Sequence, residues 1–459
     1  MDILENIIET KTEDVLELIQ SDRYAAARSI LIDMNEVDIG LLFDEIPEEK
    51  MLRVFRMLPK DLAAETFAYM GSEQQQFLIE KMTEREIVNI VDEMFMDDTV
   101  DFLEEMPATI VKKVLKVTDH ETRKTINQLL QYPEDSAGSI MTTEFVDLKK
   151  EMTVRDAIRR IRATGVDKET INTCYVTDDK RHLDGTISIR KLILSDSDEV
   201  IENIMSTDTI YVYTHDDQET SANYIKKYDL LSLPVVDAEN RLVGIITIDD
   251  IVDVIEQETT EDIEMMAGMT PSDKAYTDEG VTETFKKRIF WLLLLMISAT
   301  FTSGILSTFE SSLAVYPALV AFIPMLMGTA GNAGGQSSVA VIRSLALDEI
   351  EFKDILKIAW KEARVAAFCG AVMAIVCFLK VMFLDSLFTS GVDILVASVV
   401  SVAIFSTVVL AKFVGCTLPM LAKKIGLDPA VMASPFITTI VDALSLLIYF
   451  AIVSAVMPI

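Results

Sequence analysis

Histidine, cysteine and a basic surplus are all scarce in this chain. Three histidines and four cysteines stand among 459 residues, and Cys174, Cys369, Cys377 and Cys416 form no close pair. That pattern excludes a disulfide framework and a zinc site built on thiolates and imidazoles; free thiols are expected instead. Lysine and arginine number 41 against 73 acids, a formal charge of -32. Nucleic-acid binding needs a basic footprint, so no nucleic-acid partner is expected. The start, MDILENIIETKTED, has neither the basic region nor the apolar run of a signal peptide, and the N-terminal part is expected to stay in the cytoplasm. P-loop, nucleophile-elbow and metalloprotease motifs are also missing, and no enzyme is expected.

The acidity that is present is uneven. Residues 1 to 281 carry 62 acids against 29 bases, a formal -33, whereas residues 282 to 459 carry 11 against 12. A surface as acidic as the first part attracts cations. Within it, a loose repeat of about two dozen residues runs from 38 to 116, seen in LLFDEIPEEKMLRVFRML and IVDEMFMDDTVDFLEEM. Apolar helical faces separated by acidic turns predict stacked helix pairs, a short superhelix. Asp97 and Asp101 fall one turn apart in it.

A second repeat follows. SIMTTEFVDLKKEMTVRDAIRRI at 139 to 161 is echoed by NIMSTDTIYVYTHDDQETSANYI at 203 to 225, and LDGTISIRKLI at 183 to 193 by LVGIITIDDIV at 242 to 252. This arrangement resembles a tandem pair of CBS domains, modules that often bind adenine nucleotides such as ATP through a small hydroxyl residue and an Asp three residues on. The second copy has these as Thr247 and Asp250; the first has Ser188 and then Lys191. A helix N-cap with an acidic first turn explains Thr247 and Asp250 equally well. Beyond them, Asp250, Asp253, Glu256, Glu258, Glu261, Asp262 and Glu264 recur at helical spacing, and like charges so placed cost stability unless cations neutralise them.

Five apolar segments occupy the rest, at 289 to 309, 316 to 342, 362 to 384, 394 to 421 and 430 to 457, each long enough to span a bilayer. KKR at 286 to 288, the bases between Arg343 and Arg364, and Lys423 and Lys424 predict a cytoplasmic N-terminus and an external C-terminus. The second segment holds MLMGTAGNAGGQSS, whose Asn332 and Gln336 share a helical face and which hydrocarbon cannot solvate. In the fifth, Asp442 has 13 uncharged residues before it and 17 after. No base is expected at its depth, and an isolated intramembrane carboxylate points to a cation path.

PMLMGTAGNAGGQSS from Pro324, DP at 428 and 429, and TTIVDALSLLIYF from Thr438 are similar to the signature segments of the MgtE family of magnesium channels. The order of parts agrees over essentially the whole chain. The resemblance implies a homodimer in the cytoplasmic membrane whose fifth helices line the pore, with Asp442 binding the ion and the acidic cytoplasmic part acting as a magnesium-sensing gate. The family commonly has glycine three residues after this aspartate; this chain has Ser445. The ion chemistry agrees, because Mg2+ keeps several waters and suits one or two carboxylates with amide oxygens. Manganese and cobalt satisfy the same set.

The fold class expected is a multidomain membrane protein: an N-terminal α-helical superhelix (1–131), tandem α/β CBS domains (132–256), a connecting acidic helix (257–284) and a five-helix transmembrane domain (285–459). The expected metal-binding residues are Asp442, Asn332 and Asp428 in the pore and Asp97, Asp101, Asp250, Asp253, Glu256, Glu258 and Glu261 in regulation. A membrane-anchored CBS sensor without transport and an ion-coupled carrier are the alternatives.

Overall fold

A computed structural model describes all residues except 1, 273–275, 278, 310–313, 348, 388–392, 433 and 458–459. It divides into two compact units, Met1–Ile255 and Glu256–Ile459.

The first unit begins with short helices, from Asp2–Gln20 to His120–Leu129. Their starts are written locally. Asn35 and Asp119 accept backbone N–H bonds at their helix N-termini, and Thr83 and Glu86 form a reciprocal capping box. Pro47, Pro59 and Pro107 each stand immediately before a new helix and interrupt the preceding one. The repeat's apolar faces meet in one core holding Leu31, Ile39, Leu78 and Ile87, all buried. Phe43, Phe55, Phe67 and Phe102 form an edge-to-face chain through it, with centroids 6.1, 6.2 and 5.1 Å apart.

Two three-stranded sheets of identical topology follow. Strand β1 (Asp147–Leu148) pairs parallel with β2 (Thr173–Thr177), which pairs antiparallel with β3 (Leu183–Ser188). The second copy repeats this with β4 (Val212–Tyr213), β5 (Ser232–Val236) and β6 (Leu242–Thr247). Each copy's Met-containing turn crosses to the other copy: Thr142 exchanges backbone hydrogen bonds with Ile245 in β6, and Ser206 does so with Thr186 in β3. This explains the echoed glycines. A Cβ on Gly185 would stand 2.5 Å from the Ser206 carbonyl oxygen, and one on Gly244 2.7 Å from that of Thr142. A buried bond of 2.6 Å between the Tyr175 hydroxyl and Ser232 also joins the copies. The helix after β6, Ile248–Met266, continues directly into the acidic run.

In the second unit, five helices among the described residues are long and apolar enough to cross a membrane: Val281–Thr308, Pro317–Ala346, Phe352–Phe383, Ile394–Lys424 and Ala430–Val456. We number these spans one to five. The fourth packs on the second, third and fifth, and the first packs on the fifth. Leu326, Val400, Ile404, Tyr449 and Phe450 fill the core between them. Close approach does much of the joining, as expected where lipid removes the hydrophobic drive between helices. A Cβ on Gly415 of the fourth span would stand 2.3 Å from the Gly334 carbonyl oxygen of the second. The Tyr449 hydroxyl donates to the Leu319 carbonyl at 3.0 Å, which satisfies a phenol in an apolar setting.

Candidate functional site

One set of polar groups inside the spans lies on the second and fifth helices. Gly331 and Gly334 lie against Thr438, Ile437 and Val441 of the fifth span. A separate face of the second span carries Gly328, Asn332 and Gln336, spaced four residues apart and all exposed. Asp442 follows Val441, and its Oδ1 is buried without a hydrogen-bond partner among the described residues. One turn on, Ser445 is fully buried and its Oγ also has no partner among the described residues. Two amides on an open helix face and an orphaned carboxylate oxygen are costly in hydrocarbon and agree with a polar occupant.

A second acidic position lies at the start of the fifth span. Met265 and Met266, at the end of the helix Ile248–Met266, pack on Ile342 and Ala430. Asp428 Oδ1 accepts the Ala430 N–H at 2.7 Å, which fixes its carboxylate. Asp262, one turn before Met266, has its carboxyl pushed above the ordinary range by burial and then by the charge of Asp428. Those two carboxylates repel each other unless a cation comes between them.

The third gathering is within the first unit. The helix Met96–Glu104 presents buried Asp97 together with Asp98 to the start of the Ile248–Met266 helix. Burial, then Asp250 and Asp98, pushes Asp97 well above the carboxylate range. Asp98 is raised to about 6 by burial and by Asp250, Asp249 and Glu144. Asp101 reaches about 7 through burial and Glu104, Asp98 and Asp250. Glu169 rises to about 8 through burial and Asp249, Asp250 and Asp98. Its Oε2 is buried without a partner among the described residues. The leading charges on all four are other carboxylates, so the acids repel one another when ionised. Among the described residues no three His, Cys, Asp or Glu side chains converge into a ready cage. The acids stand instead as a loose patch, which suits a divalent ion that keeps waters.

Other expected residues are placed as follows. Thr247 donates its hydroxyl to Asp250 Oδ2 at 2.5 Å and its N–H at 3.4 Å, so this pair closes the helix start as a cap. Ser188 caps its own helix by accepting the Lys191 N–H at 3.2 Å. Asp253 and Glu256 are exposed on the Ile248–Met266 helix, and Glu258 and Glu261 are half-buried there. Asp98, Glu144, Glu169 and Asp249 belong to the patch and were not among the expected residues. They come from four separate segments, and only the fold reveals their proximity.

One expectation fails. A base does stand inside the membrane-length helices: Lys412, deep in the fourth span and 6% exposed. Its partner is not Asp442. The Lys412 Nζ donates to Ser337 Oγ at 3.2 Å and lies 3.8 Å from Glu362 Oε2 in the third span. Asp442 Oδ1 gains no partner from it.

Comparison with known proteins agrees with these parts one by one. The MgtE intracellular N domain matches residues 34–135, the CBS domain matches 137–198 and 201–257, and the MgtE divalent cation transporter family matches 323–452. A magnesium transporter MgtE from Thermus thermophilus is 35% identical over 440 residues, covering 95% of this chain and 96% of that one. The chain belongs to the MgtE family. A magnesium transporter MgtE from Bacillus subtilis is 32% identical, covering 96% of both chains. A crystal structure of the cytosolic domain of the Mg2+ channel MgtE in complex with ATP superposes with a TM-score of 0.51 at 35% identity, over 53% of this chain and 99% of that one. The N-terminal helical domain, the CBS pair and the five apolar helices are thus those of the family.

Proposed function

We propose that this chain is one protomer of a homodimeric Mg2+ channel in the cytoplasmic membrane, and that Mg2+ bound to its acidic cytoplasmic part closes it. The observation that carries the pore assignment is Asp442: a carboxylate with a buried, unpartnered oxygen in the fifth span. Two copies across a dimer axis supply two negative charges, and the exposed face with Asn332 and Gln336 adds amide oxygens toward the same path. Hydrated Mg2+ suits that sparse oxygen set. The magnesium transporters in the family support Mg2+ as the cargo. The distribution of bases supports a cytoplasmic N-terminus and an external C-terminus.

Gating follows from the two acidic gatherings. Where Asp97, Asp98, Asp101, Glu169 and Asp250 crowd together, and where Asp262 meets Asp428, the compact arrangement is disfavoured without a cation. A ligand shifts an equilibrium only through its differential affinity, and a bridging ion binds only where the carboxylates are close. Mg2+ therefore favours the compact, closed form, and its loss releases the helix that leads by chain into the first span. An adenine nucleotide at the CBS pair is a further proposed ligand, supported by the ATP complex of the related cytosolic domain.

Flux into proteoliposomes containing the purified protein alone tests the assignment. Mg2+ entry that is independent of proton and sodium gradients is expected, lost in Asp442→Ala and strongly lowered in Asp442→Asn, which keeps the size and removes the charge. Wild-type flux in Asp442→Ala removes the pore assignment. Flux that follows an imposed proton or sodium gradient favours a coupled carrier instead.

A further inference from the structure

Three spans meet at one polar point that the pore does not use. Ser337 of the second span is 2% exposed and donates its hydroxyl to Glu362 Oε2 of the third span at 2.7 Å. Lys412 of the fourth span donates to Ser337 Oγ at 3.2 Å. The side chains of Lys412 and Glu362 are 7% and 15% exposed. A hydroxyl has one proton to give and lone pairs to accept with, so Ser337 is satisfied in a single sense, from ammonium to hydroxyl to carboxylate. Removing either charge leaves the other buried and alone, which ties the three helices at that height.

The surroundings show what this bridge adds. Gly334 and Gly415, whose backbones nearly touch, are each three residues from a bridge member, Ser337 and Lys412. On the fifth-span side, Gly331 and Gly334 meet Thr438 and Ile437. Small-residue contacts bring helices close but leave them smooth, with little to resist rotation about the helix axis. A charge-assisted hydrogen bond is directional and resists it. Ser337 follows Gln336 directly and lies five residues beyond Asn332, so rotation of the second span carries both amides away from their common face.

We infer that the Lys412, Ser337 and Glu362 bridge fixes the rotational position of the second span and so aims Asn332 and Gln336. The three are positioning residues; none is assigned contact with the ion. The inference rests on the pore reading only in what the aimed amides are for.

The test uses the full-length protein with its four native cysteines replaced, reconstituted in vesicles, with single cysteines introduced as Asn332→Cys or Ala333→Cys. The readout is the ratio of their rates of modification by a charged, membrane-impermeant methanethiosulfonate. Asn332 is exposed and Ala333 is buried, so the parent ratio is high. It is then measured in Ser337→Ala and in the doubly neutral Lys412→Met/Glu362→Met, which buries no lone charge. Both are expected to lower the ratio by about tenfold, the scale of one net hydrogen bond. An unchanged ratio in either assembled variant overturns the inference, and Ser337→Ala decides alone if the double variant does not assemble. Mg2+ that fails to slow modification of Asn332→Cys in the parent removes the pore reading, while the ratio still judges the bridge.

Discussion

Raising the pH in the absence of divalent cations should weaken the first unit, against the usual behaviour of paired carboxylates. Glu169 sets the magnitude. Its ordinary value of 4.5 is lifted to about 8 by burial and by Asp249, Asp250 and Asp98. A raised folded value means that stability is fully present below the unfolded value and is lost as the pH rises through the folded one. The window therefore runs from near pH 4.5 to about 8. At about 1.4 kcal/mol per unit, a shift of this size corresponds to an upper limit of about 5 kcal/mol. Solvent reaches a half-buried patch, and about 2 kcal/mol is the figure that survives screening. For a unit of this size each kcal/mol moves the midpoint by about 2–4 °C, and about 1.5 kcal/mol of the loss falls between pH 5.5 and 8, so Tm should fall by about 3–6 °C. Thermal unfolding of the purified full-length protein with chelator, at pH 5.5 and at pH 8, measures this. Millimolar Mg2+ should flatten the dependence, and Glu169→Gln should reduce it. A Tm that stays level or rises with pH in chelator refutes the reading of the patch as mutually repelling acids.

Asn332→Ala should change the preference among Mg2+, Mn2+ and Co2+ or the unitary conductance, measured by flux and by single-channel recording. Lowered thermal stability with an unchanged channel would assign Asn332 to packing alone. Deleting residues 1 to about 130, or neutralising Asp97, Asp101, Asp250 and Glu258 together, should leave a channel that stays open at high internal Mg2+. Patch recordings that still show closure when Mg2+ reaches the cytoplasmic face would remove the gating scheme and leave the pore assignment standing.

Much of the architecture could be read from pattern because each part follows a local rule. The helical repeat is punctuated by Pro47, Pro59 and Pro107 and by the caps at Asn35, Thr83 and Asp119, all of which act within a few residues. The CBS pair was visible as an echo, and Gly185 and Gly244 show why the echo is so strict: each strand there accepts the other copy's crossing backbone. Asp442 stood out because nothing charged surrounds it in the chain. The acidic patch was legible only in part. Asp97, Asp101 and Asp250 belong to dense acidic runs and attract notice. Glu144 and Glu169 do not, yet Glu144 accepts the Thr142 hydroxyl at 2.5 Å, and both lie within electrostatic reach of Asp98 or Asp250. Their role depends on a packing of segments about 45 to 150 residues apart, for which a single sequence holds no periodic trace.

The bridge in the membrane was hidden for a different reason. Hydropathy assigns a charge to the end of a span or to the water beyond it, and Glu362 accordingly marked the edge of the third apolar segment, whose helix in fact begins earlier, at Ile355. Lys412 was submerged in the apolar composition of the fourth. Each is tolerable only because the other lies on a different span, 3.8 Å away, with Ser337 between them. Compensation of that kind lies between helices, where charges in lipid are paired with one another. Asp442 differs in that its Oδ1 has no hydrogen-bond partner among the described residues. A carboxylate compensated inside the protomer holds the fold, and one left uncompensated is available to a ligand. The contrast between Glu362 and Asp442, two acids inside the same five helices, is the ground on which we propose the first as a positioning residue and the second as the ion's ligand.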